Sequence, residues 1–173
     1  MIVFGAFAQS PVVRGALVIV TALMLQTTMF TVIRPLGIAP DIMLLFCVTA
    51  GLVGGSVRGA RFSFVAGLAF DLLLSGLLGL SALTYGLAAF VAGLLPARIM
   101  EAPRGLRPLV VGTISGAATI FYAVASNLFG STDSVQLRLL RIVPVVAVSN
   151  VVLAPIAVWV QKWALLGGDR TRR

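Results

Sequence analysis

The sequence has no histidine, one cysteine, one lysine and only five acidic residues among 173. Without histidine, imidazole metal sites and histidine acid–base chemistry are excluded. Cys47 alone cannot close an intrachain disulfide, and inside an apolar run it reads as a small packing residue. The acids Asp41, Asp71, Glu101, Asp133 and Asp169 are too scattered for a carboxylate metal cage, so neither a metal nor a cofactor is expected. Ser–Lys chemistry has no candidate either, because Lys162 lies at the end of an apolar stretch. These absences argue against an enzyme.

Charge is scarce as well. Charged residues make up 10% of the chain, against about 25% in an ordinary soluble domain. Apolar residues make up 60%, with a mean hydropathy of +1.10. At roughly 20 residues per membrane helix, this allows about five or six spans with almost nothing left over. A water-soluble fold is excluded. The 13 basic and five acidic residues give a net charge of +8. In a membrane protein, topology distributes such charge, so it does not point to nucleic acid.

The apolar stretches predict an all-α, polytopic six-helix bundle in one domain, residues 1–173, with short loops. The spans fall at about 17–33, 42–57, 62–75, 79–97, 109–129 and 142–163. The first lacks a cleavage pattern and reads as a retained helix. The run from Phe62 to Ala97 would be about 54 Å long as one helix, well over a roughly 30 Å core. It must turn, and Ser75–Gly79 is the place. Arg58 to Arg61 form the loop after span two, and the 98–108 loop carries Arg98, Arg104 and Arg107. Between spans five and six, residues about 133–141 predict a short interfacial helix, with Pro144 in the first turn of span six. Pro155 is interior and kinks that span. No loop has room for a catalytic domain.

With the N-terminus cytoplasmic, the inner side receives Arg14, Arg58, Arg61, Arg98, Arg104, Arg107, Lys162, Arg170, Arg172 and Arg173. The outer side keeps Arg34, Arg138 and Arg141. This positive-inside bias predicts that both termini are cytoplasmic. Trp159 and Trp163 flank Lys162 as interfacial aromatics do. The basic loops also attract anionic membrane lipids.

Several positions stand out within the spans. Asp71, near the middle of span three, is costly there unless it finds partners or water. It is either a site for proton or cation coupling or a hydrogen-bonded packing residue, with Ser75, Thr84 and Asn150 as nearby partners. Small residues recur every four positions at Gly51, Gly55, Gly59, Ser63 and Gly67, and again at Gly112 and Gly116. They form close-approach faces for a helix of this chain or of a partner. Pro40-Asp41 opens span two, with Asp41 as its N-cap and Arg34 within reach of an exposed ion pair. Asn127 and Asn150 are candidates for interhelical hydrogen bonds.

The ordered set Leu25-Gln26, Pro40-Asp41-Ile-Met-Leu-Leu45, Gly55-x-x-x-Gly59, Gly67-Leu-Ala-Phe-Asp71-Leu-Leu73, Gly79-Leu-Ser-Ala-Leu-Thr-Tyr85 and Gly93 resembles the MreD family. The likeness covers about residues 25–95; spans five and six match only in hydropathy and length. It marks Pro40, Asp41, Asp71 and Gly79 as motif positions. The resemblance implies a non-enzymatic scaffold in the inner membrane, part of the elongasome that builds the cell wall of rod-shaped bacteria. It implies MreC as the direct partner, through its transmembrane helix on the glycine-lined faces. RodA, a class B penicillin-binding protein and MreB follow within the complex. It also implies a distant likeness to the six-helix substrate-binding components of vitamin importers. That likeness keeps a small-molecule pocket near Asp71 as the alternative.

Overall fold

The computed structural model describes residues 10–32, 40–73, 78–95, 105–128 and 135–166, excluding the side chains at 11, 29–32, 135–141 and 166. Arg34, Arg98, Arg104, Glu101, Asp133, Ser75, the 130–134 segment and the tail beyond Leu166 lie outside that set. Among the described residues there are six helices and no strand. They are α1 (Pro11–Val32), α2 (Ile42–Gly54), α3 (Ser56–Leu73), α4 (Leu80–Leu94), α5 (Leu106–Leu128) and α6 (Val135–Leu166).

Helix α1 begins earlier than its apolar run. Ser10 caps it, its Oγ accepting the Val13 N–H at 3.2 Å, and Pro11 occupies the first helical position. Arg14 therefore sits in the first turn of α1 and not ahead of the helix.

The predicted loop after span two is a single residue. Helix α2 stops at Gly54, Gly55 adopts φ +80° and ψ 172°, and α3 starts at Ser56. That backbone region is open almost only to glycine. Two hydrogen bonds pin the turn at 2.9 Å each, Gly55 N–H to Gly51 O and Gly59 N–H to Gly55 O. Arg58 and Arg61 consequently belong to the first turns of α3 rather than to a loop. Gly55 makes the turn, and a Cβ added there meets nothing within 4 Å, while its backbone lies close against Gly93 of α4.

Helix α2 is the hub. Nine of its 13 residues are buried, and it touches all five other helices. At 1.5 Å per residue it is only about 20 Å long. Helix α3 packs most extensively on α4, and α5 on α6. The core gathers Met43, Leu44, Leu45, Cys47 and Val48 of α2 with Ala66, Tyr85, Ala88, Val111, Val146 and Ala157.

The predicted interfacial helix is not separate. Residues 135–166 form one continuous helix, because no glycine interrupts the sequence between Ser134 and Gly167. Pro144 is thus interior to α6, like Pro155. Each removes one i→i−4 hydrogen bond, releasing the carbonyls of Leu140 and Val151.

Two segments, Leu106–Leu128 and Ile142–Leu165, are long and apolar enough to cross a membrane. Val12–Thr28, Ile42–Gly54 and Leu80–Leu94 are shorter apolar segments. Large side chains such as Leu72, Leu83, Leu128, Val152 and Trp159 are exposed around the outside, as suits a lipid-facing surface.

Candidate functional site: two carboxylate clasps and a cleft

The two described acids both act at helix starts. Asp41 is the N-cap of α2, its Oδ1 accepting the Leu44 N–H at 2.9 Å. Its other oxygen, Oδ2, accepts the Tyr85 hydroxyl of α4, also at 2.9 Å. Gln26 of α1 closes the same corner from the other side. Its Nε2 donates to Pro40 O at 3.0 Å and its Oε1 accepts the Ile42 N–H at 2.9 Å. One polar clasp thereby joins α1, α2 and α4. Arg34, the partner envisaged from sequence, lies outside the described residues. The Tyr85 ring also leans on Phe70 of α3, with centroids 5.8 Å apart and planes at 56°.

Asp71 is not mid-span: it lies in the last turn of α3 and is almost fully buried. Its Oδ2 accepts backbone N–H groups from Gly79 at 2.8 Å, Ser81 at 3.1 Å and Ala82 at 3.3 Å. Gly79 itself, in the left-handed region at φ +91°, has no side chain to cap α4. The carboxylate of the preceding helix supplies what Gly79 cannot, neutralising orphan donors at the positive end of α4. Its partners among the described residues are therefore main-chain groups, not the side chains of Thr84 or Asn150; Ser75 lies outside those residues.

The glycines lie against this chain's own helices. A Cβ on Gly51 would overlap the Ala89 backbone of α4, and one on Gly59 would overlap Gly51 of α2. One on Gly67 would stand 2.5 Å from the Ala82 Cα of α4. Gly112 abuts Val151 and the Ala147 carbonyl of α6. Gly116 is less constrained, with Val143 Cγ1 at 3.5 Å. No partner helix can enter along the Gly51, Gly59 or Gly67 faces while the bundle is intact.

Asn150 is fully buried on α6, and both atoms of its amide lack a hydrogen-bond partner among the described residues; the same holds for the Ser115 hydroxyl. Asn127 is exposed near the end of α5 and is not interior glue. Two interhelical bonds had no assigned role at the level of sequence. Gln161 of α6, also fully buried, donates through Nε2 to Phe46 O at 3.0 Å, and Ser63 of α3 donates to Cys47 O at 3.2 Å. A glutamine inside an apolar run is the signal for the first, as it is for Gln26.

A cleft of about 240 Å³ opens beside the Asp41 clasp, lined by Gln26, Asp41, Ser81, Thr84, Tyr85, Thr119 and Tyr122 with apolar Leu44, Phe70, Ile142 and Val146. Asp71 does not line it. At the opposite end of the bundle, Arg14 of α1 donates to Trp163 O at 3.4 Å and lies over the Trp163 ring at 5.2 Å. Arg58 and Arg61 at the start of α3, Arg107 at the start of α5 and Lys162 near the end of α6 share that end.

Polar ties at helix ends, tight glycine contacts and an apolar exterior define the class: a helical membrane protein organised for packing. The chain belongs to the MreD family, because the family model described as rod shape-determining protein MreD matches residues 9–165. MreD is a family of shape-determining proteins and not a known enzyme family. Neither the curated proteins nor the solved structures contain a significant match. The implied likeness to vitamin-importer components therefore gains no support from solved structures.

Proposed function

We propose that the protein is a non-enzymatic scaffold of the cell-elongation complex that binds MreC and helps to position peptidoglycan synthesis for rod shape. The observation that carries this reading is the MreD family match across residues 9–165. In this reading all six helices cross the inner membrane and both termini are cytoplasmic. The gathering of Arg14, Arg58, Arg61, Arg107 and Lys162 at one end, opposite Asp41 and Asp71, supports that orientation. RodA, a class B penicillin-binding protein and MreB are reached within the complex through MreC.

The glycine faces being filled, the MreC helix needs another seat. An apolar groove of about 200 Å³ between α4 and α5 offers one, floored by Ala88, Ala117 and Ala118 and walled by Leu87, Val91, Ile114 and Phe121. Small residues in such a floor let helices approach closely in lipid. Co-expression with MreC and pull-down tests the binding. Wild-type protein should retain MreC, and Ala117→Leu, which fills an exposed position of the groove, should release it while the protein stays folded. Failure of the wild-type protein to retain MreC overturns the partner. Retention by a folded Ala117→Leu variant overturns the seat alone.

The second reading, a small-molecule binding or transport subunit, draws on the cleft beside Asp41. It requires a molecule to survive gentle purification and to leave when Tyr85 or Gln26 is replaced.

A further inference from the structure

We infer that the groove between α5 and α6 at the basic end is a binding site for one anionic phospholipid. The inference rests on the chain lying in a membrane, and is independent of MreC.

The groove encloses about 300 Å³. Arg107, in the first turn of α5, and Lys162, near the end of the antiparallel α6, face it together. Pro108, Pro155, Val158 and Trp159 form its apolar wall, over a floor narrowed only by the methyl of Ala154. Among the described residues no acid stands at this end: Asp41 and Asp71 are committed to helix caps at the far end. The Arg107 Nε is buried with no hydrogen-bond partner among the described residues. Arg14, by contrast, is already held by Trp163.

Two cations beside an apolar trough match an anionic headgroup attached to an acyl chain. The phosphate accepts charge-assisted hydrogen bonds from Arg107 and Lys162. The chain then runs along Pro155 and Val158 toward the exposed, lipid-facing Val152 and Ile156 of α6. Trp159, 71% exposed, stands at the rim in the position indole prefers at a membrane interface. A free phosphate uses only the two cations and leaves the trough empty, which separates the two ligands experimentally.

The test uses the full chain in neutral detergent, with thermal unfolding read after adding phosphatidylglycerol, phosphatidylcholine of the same chains, or inorganic phosphate. Phosphatidylglycerol should raise the midpoint by at least about 3 °C, and the other two should not. Arg107→Gln/Lys162→Gln should lose most of that shift, while Arg58→Gln/Arg61→Gln keeps it. An equal shift with phosphatidylcholine, the same shift from phosphate alone, or a full shift in the Arg107/Lys162 variant each overturns the site. Should that variant fail to fold, salt decides on the wild-type protein. The phosphatidylglycerol shift must shrink between about 0.05 and about 0.5 M NaCl, and a salt-insensitive shift overturns the proposal.

Discussion

The Asp41 carboxylate and the Tyr85 hydroxyl, 44 positions apart in sequence, meet at 2.9 Å. The carboxylate thus holds the start of α2 with one oxygen and the body of α4 with the other. Tyr85→Phe removes only the hydroxyl. It should destabilise the protein by about 1.5–3 kcal/mol, the range for a hydrogen bond to a charged group. Thermal or denaturant unfolding in detergent measures this, and an unchanged midpoint shows that the contact contributes nothing.

Asp71 receives three main-chain N–H groups through one oxygen. Asp71→Asn keeps a carbonyl oxygen able to accept them and should lose only the charge-assisted part. Asp71→Leu leaves buried donors unpaired, at about 1–3 kcal/mol for each such group. The expected order of unfolding midpoints is wild type, then Asn, then Leu. A shape-complementation assay separates this role from ion coupling. Asp71→Asn should still restore rod shape, whereas a proton pathway through Asp71 requires complete loss.

Gly55 and Gly59 test different physics at neighbouring positions. Gly55→Ala meets no neighbour but must hold a backbone region nearly closed to other residues, so a loss of about 1–3 kcal/mol is expected. Gly59→Leu has an ordinary helical backbone and collides with Gly51. It should fail to yield monodisperse protein in size-exclusion chromatography, with or without co-expressed MreC. Normal folding of the Gly59→Leu variant would show that α2 and α3 do not pack as described.

Asn150 predicts the opposite sign. An unpaired buried amide costs stability, and replacing it by an apolar group of similar size is neutral or stabilising. Asn150→Leu should therefore unfold at the wild-type temperature or higher. A large drop would show that the amide has a partner in the folded protein.

The helix pattern was legible in composition and apolar run length, because lipid-facing and buried positions are both hydrophobic. Helix ends were less so. Ser10-Pro11 is a start signal lying ahead of the apolar run, and counting hydropathy alone passes over it. Gly55 reads as one step of a four-residue stripe, and spacing does not reveal that such a glycine also turns the chain. Continuity of α6 is hidden by Pro144, which suits the first turn of a separate span. For the clasps, residue type was visible and pairing was not. Asp41 was recognisable as a cap from Pro40-Asp41, but Tyr85 and Gln26 are brought to it by tertiary packing. Asp71 looked exposed to lipid cost because its partners are main-chain groups, which carry no signature in sequence.

The one-residue turn at Gly55 also bears on how the protein is made. Helix α2, about 20 Å long, is short for a roughly 30 Å hydrocarbon core, and no polar linker separates it from α3. In the six-crossing topology proposed above, α2 is too short to span alone, and the turn at Gly55 ties its insertion to that of α3.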